Sequence, residues 1–222
     1  MRAMSFETVN EIVDAAEHLP VGSALVVHQV EWNDYEGVLE CLAERRSLRI
    51  DYDSGRLEIV SPLTKHGLYD VLIRDLVFIF CEVFQMNHEG LSAVTWRRKE
   101  LLKGVEPDAS FYIQSANRVV GKEIDQSADP PPDIVIEVDI TSHSLRKLGI
   151  YAAIGIPEVW RYNGKTCTFY ALSEDRYVEV RVSPSLPRLT GKMVADAVEI
   201  SKTQGQDAAR KAFRSSLKTL KK

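Results

Sequence analysis

Apolar residues recur along this chain first at helical and then at strand spacing. Val9, Ile12, Val13 and Ala16 stand three or four apart, which predicts a helix from Phe6 to Leu19, capped by Ser5 and stopped by Pro20 and Gly22. Leu25 to Val27 reads as a short extended arm. Trp32, Tyr35, Val38, Leu39 and Leu42 share one face of a second predicted helix, Trp32 to Arg45. Strands at Ser47–Tyr52 and Arg56–Val60 flank the turn Asp53-Ser54-Gly55. A long helix from Lys65 to Met86 carries a wide apolar stripe of Leu68, Val71, Leu72, Leu76, Ile79, Phe80 and Val83. Strands at Leu91–Arg98 and Ala109–Ile113 come next, then a short helix at Asn117–Glu123.

The segment after Asp129-Pro130-Pro131-Pro132 is the most informative. Ile134, Ile136, Val138 and Ile140 point to one side of the predicted strand; Asp133, Val135, Glu137 and Asp139 point to the other. A helix from Ser144 to Ile154 ends at Gly155. It leads to a strand at Glu158–Tyr162, the turn Asn163-Gly164, strands at Thr166–Leu172 and Tyr177–Val182, and a helical tail from Met193 to Leu220. No repeat and no clear linker interrupts the series, so one α/β domain is expected.

Glu137 and Asp139 put two carboxylates on one face of a strand apolar enough to be central. Desolvation and mutual repulsion oppose burying them together, and a bound cation or a basic partner relieves both. Carboxylate oxygens suit Mg²⁺ or Mn²⁺, with a phosphate substrate completing the coordination. Asp108, after Pro107 at the mouth of the Ala109–Ile113 strand, is a candidate third ligand. The competing reading is a half-exposed face, or pairing with Arg97, Arg98 or Lys147.

Several motifs occur together in a recognisable order. They are Gly55-Arg56-Leu57-Glu58-Ile59-Val60-Ser61-Pro62 with His66, Glu106-Pro107-Asp108-Ala109-Ser110-Phe111-Tyr112-Ile113, Asp129 through Thr141, and Gly155-Ile156-Pro157-Glu158-Val159-Trp160-Arg161-Tyr162. From about Leu25 to Leu217 the chain resembles the Uma2 family, formerly DUF820, an endonuclease group common in cyanobacteria within the PD-(D/E)XK nuclease superfamily. The resemblance implies an α/β fold: a restriction endonuclease-like mixed β-sheet core flanked by helices, with an extra β-hairpin and a C-terminal helix. It implies an N-terminal helical extension over 1–24, a nuclease-like domain over 25–192, and a basic C-terminal helix over 193–222 packed on the domain or on a dimer partner. The implied activity is Mg²⁺-dependent hydrolysis of DNA phosphodiester bonds, with Mn²⁺ as substitute, by a homodimer.

Carried over residue by residue, the resemblance makes Asp108 and Glu137 metal ligands, joined by the Val138 carbonyl. The superfamily pattern places a lysine two residues after the second acid, where this chain has Asp139. Lys147, in the following helix, takes that role in the resemblance, to orient water or stabilise charge in the transition state; alternatively it is a helix lysine paired to Glu137 or Asp139. Asp139 then becomes a third ligand or a water-orienting base. Glu58 is expected to face the same cleft. His66 is expected to hold a water or touch a phosphate, with helix capping or packing as the alternative. Gly67 follows it where the family often has an acid.

Composition and charge refine this picture. The 222 residues are 45% hydrophobic and 27% charged, which fits a globular chain and excludes collagen-like and disordered classes. Residues 201–222 hold seven Lys/Arg against Asp207, a charge of +6, leaving 21 basic and 31 acidic side chains, a net of −10, in the other 200. A uniformly basic nucleic-acid binder is excluded, so phosphate contacts fall to local basic groups: Arg97, Arg98, Lys99 and Lys103 beside the acidic cluster, and the tail. The competing role of that strand end is an edge protected by charge, and of the tail helix, docking on the domain or a second subunit. Three scattered cysteines without a CxxC pair fit a reducing compartment. With no run of about 18 apolar residues and no signal-peptide core, a cytoplasmic location without membrane contact is expected. A protein of the same fold that binds DNA or a partner without cutting is the main alternative, and a dimerisation module the third.

Overall fold

The computed structural model describes residues 9–44, 48–92, 94–140 and 144–220. The expectations on Ser5, Phe6, Arg45, Ser47, Thr141, Lys221 and Lys222 lie outside these. In chain order the elements are α1 (Val9–Glu17), β1 (Ala24–Val27), α2 (Trp32–Cys41), β2 (Arg49–Asp53), β3 (Arg56–Val60), α3 (Thr64–Phe84), β4 (Glu89–Ser92), β5 (Trp96–Arg98), β6 (Lys103–Val105) and β7 (Ala109–Tyr112). Then follow α4 (Ala116–Val119), β8 (Ile134–Val138), a 3₁₀ turn over Ser144–Arg146, α5 (Lys147–Ile154), β9 (Glu158–Tyr162), β10 (Cys167–Ser173), β11 (Arg176–Val180), α6 (Gly191–Gln204) and α7 (Gln206–Leu220). The chain is a mixed α/β protein, as the alternating periods predicted.

Two units emerge. One comprises residues up to Thr64 together with Thr95–Glu106; the other comprises Lys65–Val94 and Pro107–Lys222. The first is built on a five-stranded antiparallel sheet of order β1-β3-β2-β6-β5. Its core joins Ile12 and Ala16 of α1, and Trp32, Tyr35 and Val38 of α2, to Ile50, Tyr52, Leu57 and Ile59 of the sheet. Tyr35 stacks on Tyr52 at 4.7 Å between ring centres, and Trp32 meets both edge-on.

The second unit carries a six-stranded sheet of order β11-β10-β9-β8-β7-β4, antiparallel except for the parallel pair β8–β9. Leu72, Ile73, Leu76, Val77 and Phe80 of α3, with Val194, Val198, Phe213 and Leu217 of the C-terminal helices, bury their side chains in its core. Parallel neighbours cannot be joined by a hairpin, so the chain crosses over through α5 between β8 and β9. That crossover starts α5 just after the carboxyl end of β8, where ligands collect in open α/β sheets. Gly155, at φ 85°, closes α5 in a conformation that costs a side-chain-bearing residue energy, and β9 follows.

Four details depart from the periodic reading. The expected strand Leu91–Arg98 is two strands: Ser92 pairs with Ala109 in the larger sheet and Trp96 with Val105 in the smaller. Period-2 patterning cannot distinguish one strand from two that find different partners. Lys103–Val105, assigned no element by the periodicity, is a strand between β2 and β5, where any side chain at Gly104 would collide with the Tyr35 ring. Leu68 and Val71 stay exposed, and Ile73 and Val77 complete the buried stripe of α3 instead. The tail is two helices broken at Gly205, and Ala209, Phe213 and Leu217, at helical spacing, are buried on one face of the second.

Candidate active site

The strand alternation and the β7–β8 register together set the acidic residues. The ladder pairs Ala109 with Ile136, Ser110 with Val135 and Phe111 with Ile134. Just before that ladder, the Asp108 N–H donates to the Ile136 carbonyl at 3.1 Å and the Asp108 carboxylate accepts from the Val138 N–H, which keeps Asp108 beside Glu137 at the end of the strand pair. Asp108 is 2% exposed and Glu137 5%.

Each acid meets a basic side chain supplied by a helix or a neighbouring strand. His66, in the first turn of α3, places Nε2 3.1 Å from Asp108 Oδ2, and the Val138 N–H donates to the same oxygen at 2.8 Å. Lys147, the first residue of α5, places Nζ 3.2 Å from Glu137 Oε1 and 3.3 Å from Oε2. Tyr151, one turn later on α5, donates its hydroxyl to Glu137 Oε1. Asp139, also buried, receives the Arg161 guanidinium through Nε at 2.8 Å and Nη2 at 2.6 Å, both on Oδ2. Arg161 is the cross-strand neighbour of Glu137 on β9.

Electrostatics explains why three carboxylates tolerate burial. Burial pushes the Asp108 carboxyl up, but the hydrogen bond and charge of His66, the charge of Lys147 and the Val138 N–H outweigh it and hold the group below the usual carboxylate range. Lys147 on Glu137 and Arg161 on Asp139 give the other two buried acids an opposite charge. Asp108 thus stays ionised inside a buried cluster.

Asp108, Glu137, Lys147 and His66 therefore come together within the second unit, and Asp139 lies beside them in the grip of Arg161. Glu58 stands in the first unit on β3, where Arg56 Nη1 donates to it at 2.6 Å. Arg97 and Lys99 reach Glu36 at 3.9 and 3.7 Å, Arg98 reaches Glu100 at 4.0 Å, and Lys103 pairs with Asp53. Arg97 and Arg98 belong to the edge strand β5 and Lys99 follows it, a common use of charge at a sheet edge, whereas Lys103 opens the interior strand β6. In the tail, Arg210 binds Asp75 at 2.6 Å and Arg214 binds Glu82 at 2.8 Å, both on α3. Part of its charge is thus spent in docking α7.

Sequence reasoning did not single out Tyr151 or Arg161 for the site. The four-residue spacing from Lys147 was the available signal for Tyr151. Nothing short of the β8–β9 register signals Arg161.

Comparison with known proteins adds the family. The Uma2 profile, described as "Putative restriction endonuclease", matches residues 32–202. The chain belongs to the Uma2 family. Among solved structures, it is similar to a "putative nuclease belonging to DUF820" from Anabaena variabilis, at 16% identity and a TM-score of 0.44, covering 66% of this chain and 89% of that one. No functionally curated protein matches the chain. The Uma2 match spans Asp108, Glu137, Lys147, His66, Tyr151 and Arg161 alike. Among the described residues, no helix is long and apolar enough to cross a membrane.

Proposed function

We propose that this chain is a metal-dependent endonuclease that hydrolyses phosphodiester bonds in DNA, with Asp108 and Glu137 holding Mg²⁺, or Mn²⁺ in its place. The observation that carries the reading is the convergence of two buried, neighbouring carboxylates with Lys147 and His66 at 3.1–3.3 Å. Among the described residues no group of three or more His, Cys, Asp or Glu is arranged to hold a metal. A closed zinc-type site is a poor fit to that arrangement. Two carboxylates fit Mg²⁺ well, because this ion keeps several waters and takes the rest of its shell from one or two carboxylates and from substrate phosphate.

When bound, such a cation would polarise the scissile phosphate and lower the pKa of a bound water. The chain's own residues do the rest. Asp108 and Glu137 supply oxygen ligands from adjacent strands, with the Val138 carbonyl as a third. His66 holds Asp108 in one orientation through Oδ2. Lys147, held beside Glu137, is the cation available to stabilise phosphate charge, and an ammonium on a flexible stem suits that task. Asp139 anchors Arg161 rather than acting as a third ligand. Arg97, Arg98, Lys99 and Lys103 contact DNA only by exchanging Glu36, Glu100 and Asp53 for phosphate.

The test is cleavage of supercoiled and linear DNA with Mg²⁺ or Mn²⁺. Wild-type protein is expected to cut, and Asp108→Ala and Glu137→Ala to fail while remaining folded; equal cleavage by either variant contradicts the site. A second reading, DNA or partner binding without hydrolysis, is favoured by one observation: Asp139 stands where the superfamily pattern has lysine, and it is occupied by Arg161. DNA binding without cleavage under any divalent cation would select that reading.

A further inference from the structure

Glu137 is gripped twice from one helix, by two side chains of different character. Lys147 and Tyr151 are one turn apart on α5, and both reach this carboxylate. Between and beyond them, Ile150 and Ile154 turn into the protein interior. Lys147 touches both Glu137 oxygens nearly symmetrically, at 3.2 and 3.3 Å, with 15% of its side chain exposed. Tyr151 is fully buried and donates to Oε1.

The two contacts respond differently to an incoming cation. An ammonium repels a divalent ion and, on a flexible four-carbon stem that is only partly buried, can leave. A phenol is neutral, has two rotatable bonds and is walled in by packing, so it stays. A hydroxyl donor also leaves the carboxylate's remaining lone pairs in place for metal coordination. Hydrogen bonds of this kind orient metal-binding side chains, and losing one typically lowers metal affinity 10–100-fold.

We propose that Tyr151 is the positioning residue of the site: its hydroxyl fixes Glu137 for cation binding, while Lys147 is the exchangeable partner released when the cation arrives. This rests on the metal-dependent reading above and goes beyond it by dividing the work of α5 between two residues.

Manganese titration of the full chain by calorimetry tests it, with wild type, Tyr151→Phe and Lys147→Met side by side and thermal melts in EDTA as a folding check. Tyr151→Phe is expected to melt as a folded protein and to bind Mn²⁺ about tenfold or more weakly. In a Glu137→Gln background the same Tyr151 substitution should have no further effect on the residual affinity. Lys147→Met is expected to bind Mn²⁺ at least as tightly as wild type, since a like charge has been removed. Wild-type affinity in Tyr151→Phe overturns the positioning role, and lost binding in Lys147→Met overturns the division of labour even if Tyr151→Phe proves unstable. No Mn²⁺ binding by wild type would instead bring down the metal-dependent reading, and this inference with it.

Discussion

Asp108 and Glu158 are both buried acids of the same six-stranded sheet, and they are stabilised in opposite ways. Glu158, on β9, is fully buried and accepts from Trp160 Nε1 at 2.6 Å and from the Ser185 N–H at 2.9 Å. Burial pushes its carboxyl up, and these neutral donors only partly offset that, so it sits above its ordinary range. Asp108 is equally dry, yet the His66 and Lys147 charges and the Val138 N–H hold it below that range against burial. Neutral donors satisfy a carboxylate's geometry; opposite charges keep it ionised. Glu158 is a staple for the Ser183–Leu186 loop, whose Leu186 N–H is in turn held by Ser183 Oγ at 2.9 Å. Asp108 and Glu137, buried against the basic side chains of His66 and Lys147, have the character a cation ligand needs.

The sharpest way to break this contrast is to remove one acid of the charged cluster. Glu137→Ala should lower the rate of Mg²⁺-dependent DNA cleavage about a thousandfold, since metal-held charge stabilisation is worth several kcal/mol. Glu158→Gln should leave the rate per folded molecule unchanged in the same gel assay. The next largest effect is on stability. Arg161→Ala leaves the buried Asp139 without its guanidinium and should cost roughly 3–5 kcal/mol in urea unfolding, as broken buried pairs do; a loss well under 1 kcal/mol would mean the pair is solvated.

The third prediction concerns pH. A carboxyl whose folded pKa is raised contributes stability below its unfolded pKa, and loses that contribution as pH rises through the folded value. The unfolding free energy of wild type minus that of Glu158→Gln should therefore decrease from pH 4 towards pH 6. A flat difference would show that the donors around Glu158 fully compensate its burial. The smallest effect is at the surface. Arg214→Ala removes a pair to the exposed Glu82, and the melting temperature should barely move, because exposed pairs are screened and entropically costly.

Much of this contrast could be read from residue order, and the rest depends on pairing. Asp108 and Glu137 stood out because alternation put an acid on the face of an apolar strand and a Pro-Asp step at the mouth of its neighbour. Lys147 followed from the helix after that strand, and its contact to Glu137 was one of the two placements weighed for it. Tyr151 did not stand out, since Ile150-Tyr151-Ala152-Ala153-Ile154 reads as plain core, and only the site reveals that one of its members carries a working hydroxyl. Arg161 and the division of Leu91–Arg98 were illegible for a shared reason. Both depend on which distant strand lies alongside, which period-2 patterning leaves open. The charge of the basic tail was plain, but its use was not: Asp75 and Glu82 lie on α3, more than 100 residues earlier.

The most direct test of the central claim is anomalous scattering from a crystal of the protein soaked in Mn²⁺. The account predicts a peak with carboxylate oxygens of both Asp108 and Glu137 at about 2.1 Å, and Tyr151 still on Glu137. A peak held by other residues, or an Asp108–Glu137 cluster left empty with Lys147 and His66 in place, would contradict it.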